Sequence, residues 1–250
     1  MKEKGGKEMK LFIPKQHGAW AMLIIPFWLG VVDGGFLWQH LLLFIGWLLL
    51  YLATYPMLLL FKKKKIPFYT KWTLIYMIPA LLLLLIPFLE RPAIIFFGLL
   101  MLPFFIINAY YTSKNQDRAF MNDLSAIFAF CIAGLASSYL VRGVVTPETI
   151  LFPFLASVVF FIGCTFYVKS MIREKNNTNF KLFSWAYHLL LVITWAASGF
   201  WIAALAYIPS LLRAILFYGK NLSAKQVGIY EIMNSAIFFI IIAIQIVLLK

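Results

Sequence analysis

The residues able to do chemistry in this chain are few, polar and gathered in four short runs. The first is Pro14-Lys15-Gln16-His17-Gly18-Ala19-Trp20. The second is Asn108 followed by Lys114-Asn115-Gln116-Asp117-Arg118 and Asn122-Asp123. The third is Tyr167-Val168-Lys169-Ser170-Met171-Ile172-Arg173-Glu174, and the fourth is Glu231 with Asn234. Lys169 and Arg173 are spaced i, i+4, as are Arg118 and Asn122, so on helices each pair shares a face. Two such faces at one depth could cradle a phosphate, a carboxylate or a lipid head group, because cationic side chains make strong charge-assisted hydrogen bonds to oxyanions. Plainer roles compete. Basic heads snorkel to a membrane interface, Asn122 or Asp123 suits a helix N-cap, and Pro14 suits a first helical turn. His17 has no second histidine nearby to share a metal ion, and reads as a donor beside Gln16 and Trp20. The expected ligand-binding set is Gln16, His17, Trp20, Asn108, Arg118, Asn122, Asp123, Lys169, Arg173 and Glu174. No metal ligand or cofactor is expected from these types and spacings, and catalytic residues stay unassigned.

The elements that must position these residues are apolar. The chain has 250 residues, 63% of them hydrophobic and only 12% charged, with a mean hydropathy of +0.90. Ordinary soluble domains carry about 25% charge, so a soluble globule is excluded. The net charge of +13 would suggest nucleic acid in a soluble protein. Here the cations sit in short gaps between apolar runs, which points to topology and to anionic head groups, worth about 1 kcal/mol per basic residue near the surface. Nucleic acid is not an expected partner. Cys131 and Cys164 lie inside apolar runs, as buried thiols do, with no metal-ligand spacing and no disulfide framework.

Cutting the sequence at its charges, prolines and glycines gives about nine spans of roughly 20 residues. They run 17–33, 38–61, 71–89, 92–112, 123–141, 149–169, 183–198, 200–217 and 229–249. The stretch 183–217 is read as a tight hairpin, since one helix of that length would reach about 52 Å against a hydrocarbon core of about 30 Å. Nineteen of the 22 Lys and Arg then fall on one side, and Arg91, Arg142 and Lys250 on the other. The positive-inside rule puts the N-terminus and the nineteen cations in the cytoplasm. The basic start leads straight into spans with no small-residue cleavage site, and is read as preceding a first helix and not as a signal peptide. The expectation is an all-α polytopic bundle forming one domain over 1–250. The small residues Ala133, Gly134, Ala136, Ser137 and Ser138 should admit a neighbouring helix. Trp38, Trp72, Trp185 and Trp201 near helix ends should form an interfacial belt, and Lys62 to Lys65 a solvated loop.

The run Ile13-Pro14-Lys15-Gln16-His17-Gly18-Ala19-Trp20-Ala21-Met22, with Asn122-Asp123 and Lys169-Ser170-Met171-Ile172-Arg173-Glu174, resembles the YwiC-like family of bacterial membrane proteins. The resemblance covers essentially the whole chain and implies a bacterial, polytopic protein without an established activity. More distantly, nine spans with polar loops at the cytoplasmic ends of helices 2–3 and 6–7 are similar to the UbiA superfamily of intramembrane prenyltransferases. That resemblance implies an arrangement able to hold a prenyl diphosphate through magnesium on two aspartate-rich motifs. This chain departs from the motifs. Its helix 2–3 loop reads Phe61-Lys62-Lys63-Lys64-Lys65-Ile66-Pro67, and its helix 6–7 loop has Glu174 as the sole acid among 169–175, so neither builds the carboxylate cage magnesium needs.

The functional expectation is a protein of the bacterial cytoplasmic membrane that binds an anionic isoprenoid or lipid at its cytoplasmic face. A metal-independent transferase or other lipid-modifying enzyme, a non-catalytic lipid- or quinone-binding accessory protein and a small transporter stay open as its classes. Transport has the least support, because ionisable residues at mid-span are scarce apart from His188, although breaks at Pro79, Pro103 and Pro153 would suit it.

Overall fold

The computed structural model describes residues 11–14, 17–144 and 146–250, without the side chains of His17 and residues 147–150. Among the described residues, nine α-helices and no strands are present: α1 His17–Gly34, α2 Gln39–Leu60, α3 Ile66–Glu90, α4 Ile94–Ser113, α5 Phe120–Arg142, α6 Pro147–Ile172, α7 Thr178–Ala197, α8 Trp201–Leu216 and α9 Ala224–Leu248. Seven are long and apolar enough to cross a membrane; Gly18–Gly34 and Trp201–Leu216 are shorter apolar helices. Only helices satisfy every backbone group internally in hydrocarbon, and large apolar side chains such as Leu82, Phe96, Ile106, Leu190 and Val247 stand exposed around the outside. The chain is a multi-pass membrane protein.

Short loops alternate the helices up and down. One end of the bundle carries the 61–65, 114–119, 173–177 and 217–223 turns; this is the basic end. The 183–217 stretch is two helices, with the turn at Ser198-Gly199-Phe200 and Gly199 in the left-handed region that glycine adopts without a Cβ penalty. Several helix starts differ from expectation. α3 begins at Ile66 because Pro67 sits in its first turn, where a missing N–H costs nothing. α7 begins at Thr178, capped by the Asn177 side chain accepting from the Phe180 N–H, and α9 begins at Ala224 under a Ser223–Gln226 capping box. The N-cap of α5 is Ala119, which displaces the capping role from Asn122 and Asp123; both lie within the first turn. The helices run through Pro79, Pro103 and Pro153 without breaking.

α1 lies at the centre, packed on α5 and reaching α6 and α9. Its contact with α5 is a crossing of small residues. A Cβ on Gly30 would fall on the Gly134 carbonyl, one on Gly134 on the Pro26 carbonyl, and one on Gly34 on Ser138 backbone. Backbones this close gain dispersion that lipid cannot match, and Ser137 Oγ locks the crossing by donating to the Phe27 carbonyl at 2.7 Å. On the far side of α1, Ile25 and Leu29 join Phe160 and Phe161 of α6, Tyr207 of α8 and Phe238 and Ile242 of α9 in the main core. Phe160 stacks on Phe238 there, with centroids 3.8 Å apart.

The tryptophan belt holds only in part. Trp38 and Trp201 are exposed at helix ends, but Trp72 is buried with Phe12 and Tyr76. Trp185 donates its indole N–H to the Ala214 carbonyl at 2.8 Å, tying α7 to α8.

Candidate functional site

At the basic end, the α4–α5 turn folds against the last turn of α6. Lys169 Nζ lies 3.0 Å from Asp123 Oδ2 and donates to the Arg118 carbonyl at 2.9 Å. Arg173 Nη1 donates to the same carbonyl at 2.8 Å. The i, i+4 spacing at the end of α6 therefore gathers both cations at one spot, where Lys169 pairs with Asp123, Arg173 lies within reach of the same carboxylate's charge, and Arg118 lies close enough to repel Arg173. Partial burial and then the positive charge of Arg118 hold Arg173 below the ordinary guanidinium value, with Asp123 acting in the opposite sense. The Arg118 side chain is exposed.

The other expected residues frame this spot or stand away from it. Asn122 Nδ2 donates to the Asp117 carbonyl at 2.8 Å and leaves its buried Oδ1 without a partner among the described residues. Asn108 bonds the Phe104 carbonyl and Ser125 Oγ, so it clamps α4 to α5. Glu174 accepts from Asn177 Nδ2 at the α6–α7 turn. Trp20 packs edge-on against Tyr51 of α2. Gln16 and Lys15 lie outside the described residues, as does the His17 side chain. The lysine loop is less free than expected: Lys62 pairs with Asp117 at 2.7 Å, tying the α2–α3 turn to the α4–α5 turn, while Lys63, Lys64 and Lys65 do not share its shelter.

Glu231 and Asn234, grouped with these residues in the sequence, go elsewhere. Both are buried and face α8, Asn234 bonding Ser210 Oγ at 2.9 Å and Glu231 pairing with Arg213. Arg213 is expected from the sequence as one of the cytoplasmic-side cations, near the end of the 200–217 span. It lies in the last turn of α8, 5% exposed, with Nη1 2.5 Å from Glu231 Oε1. Tyr167 and Cys164 of α6 flank it. A charge inside a span is a functional signal when its partner is known. Here partner and cation come from different helices, so only the lone acid Glu231 in an apolar run hinted at the pair.

The opposite end carries its own cations. Arg142 and Lys250 line a cavity of about 430 Å³ with Asp33, Phe152 and Ile246, and the Arg91 guanidinium lies against Gly143.

The family model described as YwiC-like protein matches residues 13–139. Over 236 residues the chain is 46% identical to the Bacillus subtilis (strain 168) "Uncharacterized protein YwiC", covering 94% of this chain and 98% of that one. The chain belongs to the YwiC-like family. A Haemophilus influenzae (strain ATCC 51907 / DSM 11121 / KW20 / Rd) "Uncharacterized protein" is 39% identical over 236 residues, covering 94% of this chain and 99% of that one. The family match takes in α1 to α5, hence the Gly30–Gly134 crossing and the Arg118–Asn122–Asp123 turn. No solved structure matches the chain, so the likeness to the UbiA superfamily rests on span and loop arrangement alone.

Proposed function

We propose that this YwiC-like protein acts as one membrane domain of the bacterial cytoplasmic membrane and binds an amphipathic anion, a prenyl diphosphate or an acidic lipid, at its basic end. That end faces the cytoplasm in this reading. The observation that carries it is the meeting of Lys169 and Arg173 on the Arg118 carbonyl. Lys169 and Arg173 answer to one carboxylate there while Arg118 repels Arg173, and an arriving oxyanion relieves that repulsion while making charge-assisted bonds to Arg118 and Arg173. Asp123 holds the Lys169 ammonium in place, and the Asn122 amide orients the turn through Asp117. The exposed apolar faces of α4 and α7 leave room for the tail in lipid. The role is binding, with catalysis by a metal-independent transferase as the second class; Gln16, His17, Trp20, Asn108 and Glu174 are assigned to the surroundings of the same site.

Mass spectrometry of lipids that co-purify with the detergent-extracted protein tests this reading. An anionic isoprenoid or acidic lipid retained by the wild type and lost from Arg173→Ala supports it. Equal retention by both proteins removes it.

A further inference from the structure

Of the twelve buried side-chain polar atoms without a hydrogen-bond partner among the described residues, five belong to Tyr167, His188, Arg213 and Glu231. Buried polar groups are almost always satisfied, and those that are not call for a bound molecule, a water or a function. Arg213 is at the centre. Its Nη1 stands 2.5 Å from Glu231 Oε1 in an ion pair whose alignment falls short of a linear hydrogen bond. Its Nε is without a partner, and Nη2 reaches only the Cys164 sulfur, a weak acceptor, at 4.0 Å. The Tyr167 ring lies 3.9 Å from the guanidinium and fixes its plane. The charge of Arg213 is balanced while its Nε donor is unspent and Nη2 meets only a weak acceptor. A planar fork with free N–H groups fits an oxyanion bound by two parallel hydrogen bonds, and Glu231 stands where that oxyanion would stand.

We propose that Arg213 and Glu231 form a second, membrane-embedded anion site, at which an oxyanion-bearing amphiphile replaces Glu231 on Arg213 and Glu231 takes up a proton as it is released. The ligand is an amphiphile because the pair lies within the spans, in the last turn of α8 and two turns into α9. The proton follows from charge balance. One buried guanidinium neutralises one anion, and a second, unpaired carboxylate in low dielectric neutralises itself by protonation. Each binding event therefore takes one oxyanion and one proton from outside the site, and the site stays neutral.

The surroundings of Glu231 fit this linkage. Arg213 faces it from α8 and Cys164 from α6, with Tyr167 of α6 and Tyr230 of its own helix close by. α1, packed along α9, has no titratable side chain between Gly18 and Val32. His188 of α7 donates from Nδ1 to the Ser184 carbonyl at 2.7 Å, which leaves the buried Nε2 without a hydrogen-bond partner among the described residues, against Gly163, the residue before Cys164. Among the described residues, Arg213 is the cation that faces Glu231.

The test uses the full chain in lipid nanodiscs, in an Arg173→Ala background so that loss of the basic-end site cannot be confused with loss of this one. Decanesulfonate is titrated by calorimetry in two buffers of different ionisation enthalpy, since its own charge does not change with pH in the working range. Binding with uptake of about one proton, and with affinity rising about tenfold per unit fall in pH, is expected. E231Q should bind more tightly, without proton uptake and without pH dependence. The neutral pair R213Q/E231Q, checked for folding by its thermal transition, should not bind. Inorganic sulfate, which has no apolar tail, should not compete. Binding without proton uptake, binding by the folded double variant, no binding by the folded Arg173→Ala protein, or sulfate competing as well as decanesulfonate each overturns the proposal.

Discussion

Arg142 grips Asp33 with two nitrogens on one edge of its guanidinium: Nη2 lies 3.0 Å from Oδ1 and Nε 3.1 Å from Oδ2, tying the last turn of α5 to the last turn of α1. The same Nη2 donates to the Asp33 carbonyl at 2.8 Å, and Ser138 Oγ donates to Oδ2 at 2.5 Å. The carboxylate side chain is only 6% exposed. Removing Arg142 would leave it buried and uncompensated, whereas removing both charges would not. Arg142→Ala should cost about 3 kcal/mol, near the lower end for a buried pair because the arginine is partly exposed. Asp33→Asn with Arg142→Gln should cost clearly less. Thermal unfolding in detergent, read by intrinsic fluorescence, decides; equal losses would mean that the pair does not hold the helix ends together.

The α1–α5 crossing gives the second prediction. Gly134→Val places carbon atoms on the Pro26 carbonyl, and neither backbone can move without disturbing the Ser137 lock. A loss of about 3 kcal/mol, the upper range for overpacking, is expected, seen as a lower midpoint of thermal aggregation. Gly98→Ala in α4, where a Cβ meets nothing within 4 Å, should leave that midpoint unchanged or slightly raised.

Orientation can be read directly. Activity fusions at Lys64, Gln116 and Asn177 should report the cytoplasm, and one after Lys250 the outside, as the distribution of basic residues demands. A cytoplasmic signal at Lys250 would contradict the nine-helix path.

For the basic-end site, a charge-assisted contact is worth about 1.5–3 kcal/mol. Arg173→Ala should therefore weaken binding of a prenyl diphosphate or an acidic lipid about 10- to 100-fold, while Lys63→Ala changes little. A chelator should leave wild-type affinity unaltered, because the α2–α3 and α6–α7 turns hold too few carboxylates for a magnesium cage. Equilibrium binding by scintillation proximity measures all three, and magnesium-dependent affinity would sink the direct-contact reading.

Much of the fold was legible in the residues because a bilayer imposes simple demands. A span must be apolar for about 20 residues, and charges must sit at its ends, so runs and gaps gave nine helices and the 198–200 hairpin. Helix starts were less legible. Pro67, Asn177 and Ser223 extend α3, α7 and α9 into segments that hydropathy alone assigns to loops. Capping is a hydrogen-bonding matter that an apolarity scan does not sense.

The candidate site divides along the same line. The i, i+4 pair Lys169 and Arg173 is a property of one helix, and the sequence by itself placed both on one face. That they meet Arg118 and Asp123 depends on α5 packing beside α6, which no local pattern encodes. Arg213 is the clearest case. By sequence it is one more cation near a helix end, indistinguishable from Lys220 or Lys225. Only tertiary packing turns it inward, because Glu231 on the neighbouring helix offers the counter-charge that makes burial bearable. The sequence by itself determined which segments enter the membrane and where its basic residues gather, since burial in lipid acts on each segment alone. Which charges find each other was decided by the tertiary structure, since an ion pair needs two helices at a common depth and facing.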